Sequence, residues 1–192
     1  MDIKTFKQHG LDQAWDDLHT QKHKVNGRSN AEILEVLDTA GDAHYHPCAE
    51  AYVRDGVSPG EVWSFKDWDQ SSVFTNTRRD VRVYKSRGAD AAESFNLMVF
   101  NDGAGYLGRN GAVRATTVLD NLIHAGELAP TIGVFINPGL PPNVEAPVPG
   151  QRPDSLAQRQ RSVEYDSCDE RYLRLLVDEI VPFVTRELNV RV

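Results

Sequence analysis

A hydroxyl presented for nucleophilic attack at a strand-to-helix elbow takes the form G-x-S-x-G, because small flanking residues let a strained turn push the serine outward. The nearest string in this 192-residue chain is Gly27-Arg28-Ser29-Asn30-Ala31. An elbow needs a buried strand in front of it, and Gln21-Lys22-His23-Lys24-Val25-Asn26 is too polar to be one. Ser29 and Glu32 instead have capping-box spacing, in which the serine oxygen accepts from a first-turn amide and the glutamate reaches back. His44-Tyr45-His46-Pro47-Cys48 gathers three side chains able to bind zinc. Structural zinc takes four ligands and catalytic zinc three plus water; with no second cluster and Pro47 extending the backbone, a surface loop is the simpler reading. His124 stands near the end of a helical stripe, where a cation suits the exposed carbonyls. His9, His19 and His23 fall in a polar segment, and a general base needs a positioned partner. No catalytic residue is identified on these grounds, and neither a metal nor a cofactor is called for. Asn137-Pro138-Gly139 closes an apolar strand, the end at which open α/β sheets bind ligands. Asn137 and Gly139 are therefore candidate cleft-lining residues, with a plain strand-to-loop turn as the alternative.

The elements that would position such residues change character along the chain. Residues 1–45 read as helical and polar, with Leu11, Trp15 and Leu18 on one face. Ile33, Leu34, Val36 and Leu37 form a second stripe before Gly41. From about residue 58 the period becomes two. Val62, Ser64 and Lys66 alternate with Trp63, Phe65 and Asp67, and Val81, Val83 and Lys85 with Arg82 and Tyr84, predicting strands with one covered face. Arg78 and Arg79 read as a strand-entry feature. Phe95–Phe100 and Thr131–Ile136 are nearly continuous apolar runs, as in parallel strands covered on both faces. Val118, Leu119, Leu122 and Ile123, closed by Gly126, supply a crossover helix between them, making a βαβ unit. A long proline-rich loop is expected from Asn137 to about Arg161. A last helix is expected from a capping box at Ser167–Glu170 through Leu188, with a kink or break at Pro182, which lacks the amide for Asp178.

Five segments in order resemble the enterochelin esterase-like family of esterases. Ser71-Ser72-Val73-Phe74-Thr75-Asn76-Thr77-Arg78-Arg79-Asp80-Val81-Arg82-Val83-Tyr84 is similar to its early strand pair. Leu97-Met98-Val99-Phe100-Asn101-Asp102-Gly103 is similar to its third strand and the turn that follows. Thr131–Gly139, Arg161–Asp166 and the helix Tyr172–Leu188, with Glu179-Ile180-Val181-Pro182 inside it, continue the match. The likeness covers roughly residues 58–190. It implies an α/β fold: an incomplete α/β-hydrolase sandwich, the N-terminal strands of the sheet with their crossover helices, preceded by a short helical arm. The expected division is a helical arm over 1–50 and, over 51–192, the N-terminal portion of the hydrolase domain, truncated before the nucleophile strand.

The same resemblance makes Gly103 or Ala104 the backbone donor of an oxyanion hole; a tight Asp-Gly turn ending a strand is the bland alternative. It implies a serine carboxylic-ester hydrolase acting on a small-molecule ester, inactive alone because serine, acid and histidine are missing. The alternative is a non-catalytic module that binds a partner chain through an open sheet edge. In such folds the nucleophile strand pairs beside 95–101. Without it that strand is a bare edge, so the chain is expected to be poorly soluble, to form a homo-oligomer, or to be completed by a complementing chain.

Bulk properties set outer limits. A net charge of −7 with scattered Lys and Arg argues against nucleic acid, which needs a clustered positive surface. No apolar run approaches the ~20 residues of a membrane helix, and Met1–Lys7 lacks the apolar core of a secretory signal. Two distant cysteines, Cys48 and Cys168, fit a reduced, cytoplasmic protein.

Overall fold

The computed structural model describes residues 24–25, 28–29, 48–87, 94–109, 113–148 and 153–192. The chain divides into two compact units, 1–47 with 148–152 and 48–147 with 153–192. In the first, Lys24–Val25 pairs antiparallel with Arg28–Ser29. The helices expected over 1–45, including the one Ser29 would cap, lie outside the described residues, as do all of His44–Pro47.

The second unit is an α/β fold built on a four-stranded mixed sheet. Its strands are β1 (Glu61–Trp68), β2 (Arg79–Lys85), β3 (Asn96–Asn101) and β4 (Thr131–Ile136), in the order β1-β2-β4-β3. β1 and β4 both run antiparallel to β2. β3 and β4 are parallel, in register from Asn96↔Thr131 to Asn101↔Ile136, with helix α1 (Ala115–His124) crossing between them. The expected βαβ unit is present. β4 is buried at every position, which is why its sequence does not alternate. Ile132, Val134 and Ile136 join Val81 and Val83 of β2 on one face; Phe135 and Tyr84 occupy the other.

Each face has its helix. Ala115 and Leu119 of α1 pack on Tyr84 and Phe135, and α1 ends as its sequence suggests, with Gly126 at φ 74°. The opposite face is covered by Leu175, Ile180, Phe183 and Val184 of a long helix, α3. It consists of Arg171–Arg174, a π-helical stretch Leu175–Ile180 and Val181–Leu188. The break expected at Pro182 is absorbed here: the widened turn lets the Val181 amide reach back to Leu176. This spares the ring the clash it would meet in a regular helix, and α3 continues through the proline.

Two expectations need correction. The segment to Arg161 is not all loop, because helix α2 spans Ser155–Tyr165, capped by Asp154, whose carboxylate accepts from Leu156 N–H at 2.7 Å. Its apolar content is too thin to show a stripe. At the start of α3, Ser167 does not cap: its hydroxyl donates to Val163 O at 2.6 Å. Cys168 is left-handed at φ 50°, and Asp169 Oδ1 takes the Arg171 amide at 2.9 Å.

The two edges of the sheet differ. β1 carries Glu61 and Lys66 and a bulge between Phe65 and Trp68, where Asp67 sits at φ 52°. β3 shows no such device, and Leu97, Met98 and Val99 are 37, 40 and 36 % exposed.

Candidate active site

The carboxyl ends of β3 and β4 and the amino end of β2 meet at one side of the sheet. A cavity of about 270 Å³ opens there, bounded by Asp102 and Ala104 after β3, Asn137 and Pro138 after β4, and Arg78 and Arg161. Its far wall is apolar, with Leu140, Ala146, Pro147, Pro153 and Ala157.

The turn after β3 is held from several sides. Asp102 is left-handed at φ 53°, a conformation short polar side chains tolerate. Its carboxylate accepts from Arg161 Nε and Nη2 at 3.2 and 2.7 Å, and its amide donates to the Tyr165 hydroxyl at 3.3 Å. Tyr165 packs edge-on against Tyr172 at 5.0 Å, and Tyr172 donates to Asn101 Oδ1 at 2.6 Å. Burial pushes both phenols up, so both stay neutral, Tyr165 accepting from Asp102 and Tyr172 donating to Asn101. Gly103 is buried, and a Cβ there would lie 2.5 Å from the Phe135 backbone; only glycine allows the turn to sit this close to β4. The Ala104 amide points outward and donates to Asn137 Oδ1 at 3.1 Å.

The turn after β4 rests on a buried ion pair. Arg79 and Glu164 have no exposed side-chain surface and pair at 2.7 and 3.1 Å. Glu164 also accepts from Gly139 N–H at 3.1 Å and Gln160 Nε2 at 2.9 Å. Arg79 is thus more than a strand-entry feature. Gly139 lies beneath the turn; a Cβ would come within 2.8 Å of Glu164, Arg79 and Thr77. Asn137 lines the cavity, whereas Gly139 sits behind its wall. Arg78 straps the following segment down, donating to Asp67 at 2.5 Å and to Val144 O at 2.9 Å.

Glu179, inside the Glu-Ile-Val-Pro string of α3, organises the loop before β2. It accepts from the Ser71 and Ser72 hydroxyls, both at 2.6 Å, and from the Ser72 and Val73 amides at 2.8 and 3.2 Å. Sequence spacing alone did not link residues more than 100 positions apart.

None of the described residues lining the cavity carries a hydroxyl, thiol or imidazole. His124 is exposed at the end of α1, as expected, and borders a different hollow, with Gly126 and Pro130. No group of three or more His, Cys, Asp or Glu side chains gathers for a metal among the described residues. The site offers one outward backbone donor, the Ala104 amide, beside an apolar wall. It does not itself contain an attacking group among these residues.

No protein-family model matches the chain, and no curated protein matches it. Solved structures are similar to it. One is the enterobactin esterase FES from Shigella flexneri in the presence of enterobactin, 19 % identical over 72 % of this chain and 29 % of that one, TM-score 0.48. Another is the CE1 ferulic acid esterase AmCE1/Fae1A from Anaeromyces mucronatus, 14 % identical over 73 and 48 %, TM-score 0.48. This chain thus spans less than half the length of either esterase to which its α/β fold is similar.

Proposed function

We propose that the chain is the front portion of a serine carboxylic-ester hydrolase of the enterochelin esterase-like type. In this reading it supplies the oxyanion turn and one wall of the substrate cavity for a small-molecule ester. The attacking hydroxyl, its acid and its imidazole come from outside the described residues. One observation carries the reading. The Ala104 amide, at the mouth of the cavity, holds the side-chain carbonyl of Asn137. A carboxamide oxygen there stands in for an ester carbonyl, which would gain the same donor as negative charge develops.

The open edge supports the division of labour. Asn96 N–H bonds toward β4, through Pro130 O at 2.9 Å. Strand alternation then turns Phe95, Leu97 and Val99 amides outward. Phe95 N–H already meets Arg191 O at 2.9 Å, so a neighbouring strand has a place beside β3. The unbridged, exposed Cys48 and Cys168 fit work in the reducing cytoplasm.

The chain given p-nitrophenyl acetate is expected to show no turnover above a denatured control. Saturable hydrolysis blocked by a serine-reactive phosphonate would overturn the division of labour. Reading the downstream DNA in all frames tests the rest: a G-x-S-x-G segment followed by Asp and His is expected, and finding none sinks the hydrolase reading. The exposed Leu97, Met98 and Val99 favour, as second reading, a module that binds a partner by strand addition.

A further inference from the structure

A second hollow, about 610 Å³, lies on the other side of Ala104 from the cavity and is bounded by Gly60, Ser64, Arg82, Gly108, Arg109 and Thr116, with Ala104 common to both. Among the described residues its lining holds two guanidinium groups, two hydroxyls and no carboxylate, in a chain whose net charge is −7. The first cavity is different, because there Asp67 and Asp102 already occupy Arg78 and Arg161. In the second hollow Arg82 makes, among the described residues, one long ion pair, to Asp80 at 3.4 Å. Arg109 forms no ion pair among the described residues.

Two neighbours add to this. Thr116 lies in the first turn of α1, which no side chain caps and whose leading amides have no partner within the helix. Beside it, a hollow of about 30 Å³ is shared by Arg109 and Thr117. Thr117 is 4 % exposed, and its hydroxyl has no partner among the described residues. Asp120 also borders that small hollow, but it is engaged by Tyr84 OH and Gly60 N–H, both at 2.7 Å.

We propose that the hollow bounded by Arg82 and Arg109 is an oxyanion-binding subsite that recognises a carboxylate or phosphate carried by the ligand. Guanidinium forks match the planar or tetrahedral oxygens of such groups. The subsite stands on its own residues. Its assignment to one half of an ester, whose carbonyl would sit at the shared Ala104 with the other half in the first cavity, rests on the proposed function.

Direct binding to the chain separates the two claims, since it needs no turnover. Amide resonances are followed as inorganic phosphate, and separately propionate, is added at ionic strength held constant with chloride. Saturable shifts confined to Gly108, Arg109, Thr116 and Thr117 are expected with one or both probes. Arg109→Gln and Arg82→Gln should each weaken binding about tenfold, Arg109→Lys less, and Arg174→Gln not at all. Shifts that do not saturate, that chloride reproduces, or that survive both glutamine variants would overturn the subsite. If the subsite binds but the downstream DNA encodes no G-x-S-x-G segment followed by Asp and His, the hydrolase reading alone fails.

Discussion

Arg79 and Glu164 illustrate how much a single buried contact can matter. A buried charge left without its partner costs about 3–5 kcal/mol, whereas an apolar pair of similar volume is far better tolerated. Arg79→Met alone, or Glu164→Leu alone, should therefore lower the denaturant midpoint strongly, and the double variant should recover part of the loss. Glu179 offers a pH test. Partial burial raises its carboxyl, but the donors from Ser71, Ser72 and Val73 more than offset this, and the group is held below its ordinary value of 4.5. A carboxylate depressed in the folded state adds stability above its unfolded pKa and loses it as pH falls through the lower folded value. Melting temperature should fall across that acid window in the native chain, and Glu179→Gln should flatten the slope. Neither pair was legible in the sequence. Each joins residues 85 or more positions apart, and nothing local marks one arginine or glutamate as the buried one.

At the scale of elements, periodicity carried most of the information. The continuous apolar run 131–136 became the central buried strand because both sheet faces are covered there, and Ile132→Ala should cost about 2–5 kcal/mol, read by chemical denaturation. Helix α2 escaped notice for the opposite reason. It buries only Ala157 and Glu164, so no apolar stripe exists to be seen, and its capping Asp154 follows a proline-rich run. The proline in α3 was legible, but its consequence was not. Whether such a ring breaks a helix or is accommodated depends on the turn before it, and here a π-helical stretch packs Leu175 and Ile180 fully into the core. Of the candidate site, the turns at 101–104 and 137–139 could be read from strand ends. Their mutual contact, Ala104 to Asn137, could not, because it depends on the parallel register of β3 and β4.

At the scale of the whole molecule, the feature to test is the outer edge of β3, which pairs with no strand among the described residues. The chain alone should associate in a concentration-dependent way, measured by light scattering coupled to size exclusion. Val99→Lys should shift it toward monomer without lowering the melting temperature, since the side chain is already partly in water. A monodisperse monomer of the unaltered chain at high concentration would contradict this.

The contrast between the two sheet margins also sets how far such association can run. β1 is blunted by Glu61, Lys66 and the twist at Asp67, so growth has only one adhesive end. Two copies that met through their third strands would satisfy one another about a two-fold axis, and each would then present only its blunted margin. Association through this edge should therefore stop at a closed pair, where a sheet with two adhesive margins would grow into a fibre; species larger than a dimer in the light-scattering trace would contradict this.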